Sequence, residues 1–370
     1  MPRSAHTYLF IINIYAKYPM KIEAINRRDF LKYSALFSAS AWMAGSRASS
    51  KFALSRPSEA NANKLGRVLF DDVVVYDQPS QDSPVQKTLM FNDLVEYSSQ
   101  QTVNNGYPHQ DMWCRLSDSS YTLYKNLQPV ENQLSEPVLD IPTSGQLAEV
   151  CVPFTTAVVD EWNQNQREKE DQMFFYGSTH WIYGLGKDEA GIYYYQVRED
   201  RWDDSYYVNA THMRLIADNE LTPTSTAVDQ TEKVIRINLE EQYLVAYENE
   251  QPIFISALSS GQLTGDADLT TPQGNFEVNY KRPSRHMVHT DRISINDNEL
   301  YGVPWVSYFT DSGIAFHGTY WHNDFNQPNS HGCINLPIPA ARWIYRWTQP
   351  VVPPREKKYV SNSGTRVEVF

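Results

Sequence analysis

The sequence is most distinctive at Phe316-His317-Gly318-Thr319 and, after an aromatic and polar loop, at Ser330-His331-Gly332-Cys333-Ile334-Asn335-Leu336. A cysteine thiol has a pKa of about 8.5, so it is a strong nucleophile at neutral pH only where an imidazole can take its proton. The glycine before Cys333 allows a tight turn that presents amide N–H groups. The apolar-to-helix transition after it predicts a helix N-terminus near the sulfur. Both features favour a thiolate and an oxyanion, so the pattern predicts acyl transfer through a thioester.

The residues around these motifs have the pattern of a β-rich domain over residues 233–370. Apolar residues alternate over 234–239, and further strand-like runs follow. The run Thr271-Pro272-Gln273-Gly274 predicts a turn that leads into another strand. Apolar residues between 340 and 347 have helical spacing, and prolines before and after them suit a helix start and end. We therefore expect a mainly β domain with one helix near its carboxyl end.

Together these motifs resemble the L,D-transpeptidase (YkuD-type) catalytic domain of bacterial enzymes that cross-link peptidoglycan. The resemblance covers residues 233–370 and implies a β-sandwich with a capping helix. It implies that Cys333 is the nucleophile, that His317 is its base, and that the backbone carbonyl of Gly318 orients the imidazole. The implied oxyanion hole consists of backbone amides at His331, Gly332 and Cys333.

One residue departs from the family pattern. Many relatives carry arginine two residues after the cysteine, whereas this chain has Asn335. An amide cannot supply the charge that a guanidinium offers to a substrate carboxylate. Either Arg282 or Arg285 takes over this contact, or the substrate differs. We expect the substrate-facing residues to be the following: Ser330, Asn335, Trp305, Tyr308, Tyr320 and Trp321, with Phe325 as a further candidate.

The resemblance implies that a peptidoglycan tetrapeptide stem forms a thioester with Cys333 and is then transferred to an acceptor amine. Hydrolysis by the same nucleophile, attachment of proteins to the wall, or a non-catalytic wall-binding scaffold remain alternatives. No cofactor is implied. A zinc site would draw on His286, His289, His317, His322 or Cys333, and His286 and His289 have a ligand-like spacing. Neither a cysteine pair nor a His-Glu helix accompanies them, so we predict no metal.

The N-terminal residues resemble an export signal over residues 1–48. A twin arginine in Asn26-Arg27-Arg28-Asp29-Phe30-Leu31-Lys32 precedes an apolar run and a Ser-x-Ala end at Ser46-Arg47-Ala48. The apolar run has about 12 residues, fewer than the roughly 20 that span a bilayer. We therefore expect export by the twin-arginine route to the periplasm or cell wall, with no stable membrane span after signal removal. The initiator is either Met1 or Met20.

Two smaller β-rich segments lie between the signal and the last domain. Residues 49–66 read as a linker, 67–132 and 137–218 as two modules, and 219–232 as a second linker. Residues 113–118 are weakly echoed at 195–200, which suggests an internal repeat. Both modules resemble bacterial SH3-like β-barrels.

The composition limits the possible partners. The 370 residues carry a net charge of 32 − 44 = −12, which leaves no excess of basic side chains to bind nucleic acid. Three cysteines are too few for a disulfide scaffold. Cys333 is expected to be free, while Cys114 and Cys151 either form a disulfide, which export would permit, or remain two separate buried thiols.

Overall fold

The computed structural model describes residues 64–102, 112–163, 170–264, 267–288 and 299–370. The predicted export signal and nearly all of the first linker lie outside these residues, as does His289. Residues 60–370 form one compact unit. No helix in the described segments is long and apolar enough to cross a membrane.

The first module comprises seven antiparallel strands between residues 64 and 130. They are β1 Lys64–Val68, β2 Val73–Tyr76, β3 Val85–Leu89, β4 Leu94–Thr102, β5 Met112–Leu116, β6 Tyr121–Leu123 and β7 Leu127–Val130. Their order in the sheet is β3-β2-β6-β5-β4-β1-β7. Val68, Val75, Tyr97 and Leu127 belong to the small buried core of this module.

The second module, between residues 146 and 215, has the same arrangement. Its strands are β8 Gln146–Val150, β9 Phe154–Val159, β10 Gln172–Phe175, β11 Thr179–Lys187, β12 Tyr193–Arg198, β13 Ser205–Asn209 and β14 Met213–Leu215. The order β10-β9-β13-β12-β11-β8-β14 repeats that of the first module strand for strand. The described residues of both modules show no closed barrel, so the SH3-like barrels are not confirmed.

The C-terminal sandwich, residues 233–369, contains two five-stranded sheets and one helix. The first sheet, in the order β17-β16-β15-β26-β20, consists of β15 Lys233–Asn238, β16 Tyr243–Glu248, β17 Gln251–Ala257, β20 Gly274–Glu277 and β26 Arg366–Val369. The second, in the order β24-β23-β22-β21-β25, consists of β21 Tyr280–Val288, β22 Glu299–Tyr308, β23 Ala315–Gly318, β24 Ile334–Leu336 and β25 Tyr359–Val360. A short hairpin joins β18 Leu263–Thr264 to β19 Ala267–Asp268.

The helix α1 spans Ile338–Trp347 and has proline in its first turn, where a missing N–H is tolerated. Its buried residues pack with apolar side chains of both sheets in one core. Most regular structure in the described residues is strand, which confirms the expectation of a mainly β chain. Single turns of 3-10 helix lie at Tyr124–Asn126, Ala210–His212, Asp218–Glu220 and Gln230–Glu232.

The second module is fused to the sandwich through this same core. Leu147, Trp181 and Ile216 of the second module are buried among the sandwich core residues. The Thr179 hydroxyl donates to the Pro283 carbonyl oxygen at 2.7 Å. At Gly302, φ is +66°, and a Cβ atom would lie 2.3 Å from the His180 ring. Glycine is therefore needed at 302 both for backbone conformation and for close approach.

Arg67 joins both modules to the sandwich. This side chain is only 1% exposed. Its guanidinium donates to the side chains of Gln128 and Asn92 at 2.7–2.9 Å and to the Tyr320 carbonyl oxygen at 2.7 Å. It also lies 4.3 Å above the ring of Phe175. One residue of the first module thus contacts the second module and the loop that follows His317.

Candidate active site

His317 lies on one of two adjacent parallel strands, and Cys333 directly precedes the other. β23 and β24 pair in the register Phe316 to Ile334 and His317 to Asn335. Phe316 and Ile334 point into the sandwich core. Because side chains alternate along a strand, His317 and Asn335 project from the opposite face. Cys333 directly precedes β24 and packs with Trp321, whose ring also lies near that of His317.

The Gly318 carbonyl fixes the protonation of the His317 ring. His317 Nδ1 lies 3.2 Å from the Gly318 oxygen, which can only accept a hydrogen bond. Nδ1 therefore carries the proton, and Nε2 is left with a lone pair to act as a base. Burial lowers the pKa of His317 to about 4. The ring is neutral at physiological pH, as a general base requires.

The Cys333 thiol is also neutral at rest. Its side chain is partly exposed and lies in a small apolar cluster with Tyr308 and Trp321. Burial raises the pKa of the thiol, and the Ala315 N–H hydrogen bond opposes that shift only in part. The predicted helix N-terminus is not beside the sulfur, because α1 begins at Ile338, after β24. A helix dipole therefore does not stabilise a thiolate at Cys333.

Ser330 holds the turn that carries the nucleophile. Its hydroxyl donates to the Cys333 carbonyl oxygen at 2.5 Å and accepts the Gly332 N–H at 3.2 Å. Gly332 has φ +112°, which favours glycine, and its carbonyl accepts from the Thr271 hydroxyl at 2.8 Å. The Ser330 hydroxyl, which was expected to face the substrate, is engaged in these two bonds. The Gly332 N–H, expected in the oxyanion hole, is likewise directed at Ser330 here, while the His331 side chain is exposed.

Asn335 is a buried partner of a second histidine. It is 2% exposed, and its Nδ2 lies 2.8 Å from His322 Nε2. Asn335, which was expected to face the substrate, is therefore directed at His322. Burial, and then the proximity of His317, lower the pKa of His322 to about 3. Sequence reasoning considered His322 only as a metal ligand, and the described residues contain no cluster that could hold a metal.

Two of the four predicted aromatic contacts lie in the interior. Trp305 is fully buried against Tyr345, with ring centroids 5.5 Å apart, because a left-handed backbone (φ +63°) at Trp305 interrupts the alternation of β22. Tyr320 is 3% exposed, and its hydroxyl donates to the Tyr301 carbonyl at 2.7 Å. Neither side chain is exposed at the candidate site.

Tyr308 and Trp321 remain accessible beside the nucleophile, and the Trp321 and His317 rings are 5.6 Å apart. Phe325 is buried and packs against the ring of His322. The accessible aromatic wall of the site therefore consists of Tyr308 and Trp321.

Cys114 and Cys151 are both free thiols in the structure. Cys114 belongs to the first module's core, where burial raises its pKa to about 12. The sulfur of Cys151 lies 3.8 Å from the Thr211 carbonyl oxygen in the second module. The structure thus contains two separate buried thiols, one of the two alternatives that the sequence leaves open, and each packs within its own module.

The carboxyl-terminal part of the chain is similar to a known protein family. Residues 232–369 match YkuD, the L,D-transpeptidase catalytic domain family. The Bacillus subtilis protein YciB, named as a candidate L,D-transpeptidase, is 30% identical over 122 residues, which are 30% of this chain and 58% of that protein. The chain therefore spans just over half the length of that relative.

Two solved structures are also similar. An L,D-transpeptidase from Xylanimonas cellulosilytica is 26% identical with a TM-score of 0.27, and the match covers 40% of this chain and 63% of that one. An L,D-transpeptidase from Mycobacterium smegmatis is 16% identical with a TM-score of 0.30, and the match covers 66% of this chain and 100% of that one.

Proposed function

We propose that this chain, in which residues 232–369 match the L,D-transpeptidase catalytic domain family, is an exported enzyme that cross-links peptidoglycan through Cys333. The observation that carries the proposal is that the Gly318 carbonyl orients the His317 imidazole, while Cys333 directly precedes the paired strand β24 and packs, like His317, against Trp321. This arrangement has the parts that an activated nucleophile requires: a thiol, a neutral base and a group that orients the base.

The first half of the reaction forms a thioester. Cys333 Sγ attacks the carbonyl carbon of the third residue of a tetrapeptide stem, and His317 Nε2 takes the thiol proton. Backbone N–H groups of the 331–333 turn, other than that of Gly332, which bonds to Ser330, stabilise the oxyanion. The tetrahedral intermediate then collapses, the amide C–N bond breaks, and His317 returns its proton to the amine of the departing D-amino acid.

The second half transfers the stem. An acceptor amine attacks the thioester carbon, His317 removes a proton from the amine, and collapse breaks the C–S bond. The thiolate takes the proton back from His317, which restores the resting pair. Water as acceptor gives an L,D-carboxypeptidase, and an amine on a protein gives attachment of that protein to the wall. A non-catalytic wall-binding scaffold, in which the SH3-like modules supply the function, would leave the thiol without a role.

The location follows from the substrate. Peptidoglycan stems are cross-linked outside the cytoplasmic membrane, and the twin-arginine-like signal at residues 1–48 would deliver the chain there. We place the protein in the periplasm or the cell wall on this basis.

The decisive experiment compares the full chain with its Cys333→Ala and Cys151→Ala variants on a disaccharide tetrapeptide. Cys333→Ala should lose thioester formation and all products, by roughly a thousandfold or more, because no other group can replace the nucleophile. Cys151→Ala should retain both, since that thiol lies in the second module. Mass spectrometry distinguishes dimers, trimmed stems and unchanged substrate. A covalent adduct with a carbapenem that persisted in Cys333→Ala would rule out the assignment.

A further inference from the structure

Two arginines of the sandwich lie on the same side as the nucleophile. Arg282 and Arg285 are on β21, whose first residue, Tyr280, pairs with Tyr308 at the end of β22. The Tyr280 and Tyr308 rings stack with centroids 4.8 Å apart. Tyr308 is in turn opposite Ala315, whose N–H donates to the Cys333 sulfur. Tyr308 therefore stands between the two arginines and Cys333.

The electrostatic contacts of Tyr308 agree with this placement. Arg282, Arg285 and Cys333 all act on the pKa of Tyr308, and Arg285 donates a hydrogen bond to its hydroxyl. Burial dominates and raises that pKa, so the phenol stays protonated at neutral pH. The Tyr308 side chain thus links the guanidinium pair to the nucleophile without adding a charge of its own.

Arg282 and Arg285 both contact one carboxylate, that of Asp200. Arg285 Nη1 lies 2.7 Å from Asp200 Oδ2, and Arg282 contacts the same oxygen. The other Asp200 oxygen accepts the backbone N–H of His286 at 2.7 Å. The neighbouring carboxylates, Glu199 and Glu299, lie 2.8 and 3.2 Å from the two ring nitrogens of His286.

Arg282 and Arg285 share Asp200, while Glu199 and Glu299 are directed at His286, so among the described residues neither guanidinium has a carboxylate of its own. The side chains of Arg282 and Arg285 are 11% and 22% exposed, so both are largely desolvated. Burial, followed by repulsion from Arg285, lowers the pKa of Arg282 to about 10. An incoming carboxylate would offset this desolvation and repulsion, because charge-assisted bonds to guanidinium are strong in partly buried sites.

We propose that Arg282 and Arg285, held by Asp200 of the second module, bind a carboxylate of the substrate next to Cys333. This inference rests on the proposed function, and it assigns the recognition that Asn335 cannot provide. A stem peptide has two carboxylates near the scissile bond: one on the side chain of the third residue, and the terminal one of the departing residue. The chemistry is the same for both, so the experiment must separate them.

The substrate test uses four tetrapeptides, in which each of these two carboxyl groups is either free or amidated. Arg285→Gln should raise KM for the fully acidic peptide roughly tenfold, with little change in kcat, because one charge-assisted bond to the ground state is lost. The peptide amidated at the recognised position should bind wild type and variant equally weakly. The position whose amidation removes the difference between wild type and variant identifies the bound carboxylate.

Two further variants control for folding and for general charge. Arg285→Lys keeps the charge and should recover part of the loss. Arg236→Gln removes a guanidinium that pairs with Glu368 on the other sheet, at 2.8 Å, and should have no effect on any peptide. If Arg285→Gln weakens acidic and amidated peptides to the same extent, the carboxylate site is wrong.

A second test does not depend on the proposed function. The modification of Cys333 by 3-maleimidopropionate is compared with that by uncharged N-ethylmaleimide, with the labelled peptide measured by mass spectrometry. Arg285→Gln should slow the anionic reagent about fivefold and leave the neutral one unchanged. Equal ratios in wild type and Arg285→Gln would overturn the site. A preserved preference for the anion in a chain that turns over no peptide would keep the site and overturn the proposed function.

Discussion

The hydroxyl of Ser330 shows how a single residue can govern an active site without touching the substrate. It bonds to the residue before the nucleophile and to the nucleophile's own carbonyl, which closes a turn that contains a left-handed glycine. Because the Sγ position depends on this turn, Ser330 acts on the reaction through Cys333. It is a positioning residue.

Ser330→Ala should therefore reduce both stability and turnover. Two buried partners would lose a bond, so the free energy of unfolding should fall by about 1–3 kcal/mol. The value of kcat should fall more than KM rises, because the nucleophile and not the binding surface is displaced. Urea unfolding and steady-state kinetics measure the two effects. Ser330→Thr, which keeps the hydroxyl, should recover much of the loss, and equal defects in Thr and Ala variants would contradict the role.

The sequence indicates the chemical groups of the candidate site more directly than it indicates the burial of the residues around them. His317 and Cys333 could be named because their motifs are short and chemically specific. Asn335 and Trp305 were misplaced because their burial depends on strand pairing and on one left-handed residue, neither of which local alternation reveals. His322 and Asn335 are thirteen residues apart in the sequence, so no periodic pattern could indicate that their side chains are in contact.

At the scale of elements, the two modules repeat one seven-strand arrangement. The echo noticed in the sequence falls on β5 and β12, which occupy the same place in their sheets. The short alternating runs were enough to predict strands. They could not predict whether the sheets close, since closure depends on the pairing of edge strands. The packing of the second module against the sandwich could not be predicted either, because Leu147 and Trp181 have the sequence pattern of core residues of their own module.

The contacts of Arg67, which join both modules to the sandwich, can be tested directly by substitution. Its buried guanidinium donates in several directions to neutral oxygens, a geometry that a lysine ammonium cannot reproduce. Arg67→Lys should lower the free energy of unfolding by about 2–4 kcal/mol, because buried acceptors lose their donors.

The matched control for Arg67 is Arg115→Lys, at an exposed side chain that bonds Ser119. It should change the free energy of unfolding by less than about 0.5 kcal/mol. Chemical denaturation of both variants gives the comparison. Equal stability of Arg67→Lys and wild type would show that the junction contributes nothing.

At the scale of the whole molecule, three buried histidines make the fold sensitive to acid. Burial lowers the pKa values of His180, His317 and His322 to about 3, 4 and 3. Below a pH of about 6.5 the unfolded chain binds protons at these rings while the native chain does not. Stability is therefore greatest above that pH and decreases as the pH falls towards 4.

Each of these histidines should cost up to about 2 kcal/mol of unfolding free energy at pH 5 relative to pH 7. Denaturation at the two pH values measures the total. His180→Gln removes one ring and should show a shallower pH dependence than wild type, even if its stability at pH 7 is lower. A wild-type protein equally stable at pH 5 and pH 7 would refute this account.

The close contact between Gly302 and His180 also limits which second modules could be exchanged between homologous proteins. Any side chain at 302 would collide with the imidazole of residue 180 in the second module. A second module taken from a relative would fit only if its residue at position 180 left the same space for Gly302, or if the sandwich came from the same relative. Recombination between relatives should therefore succeed when both segments come from one parent. This fold would then be inherited as a matched pair, and its modules would not be interchangeable.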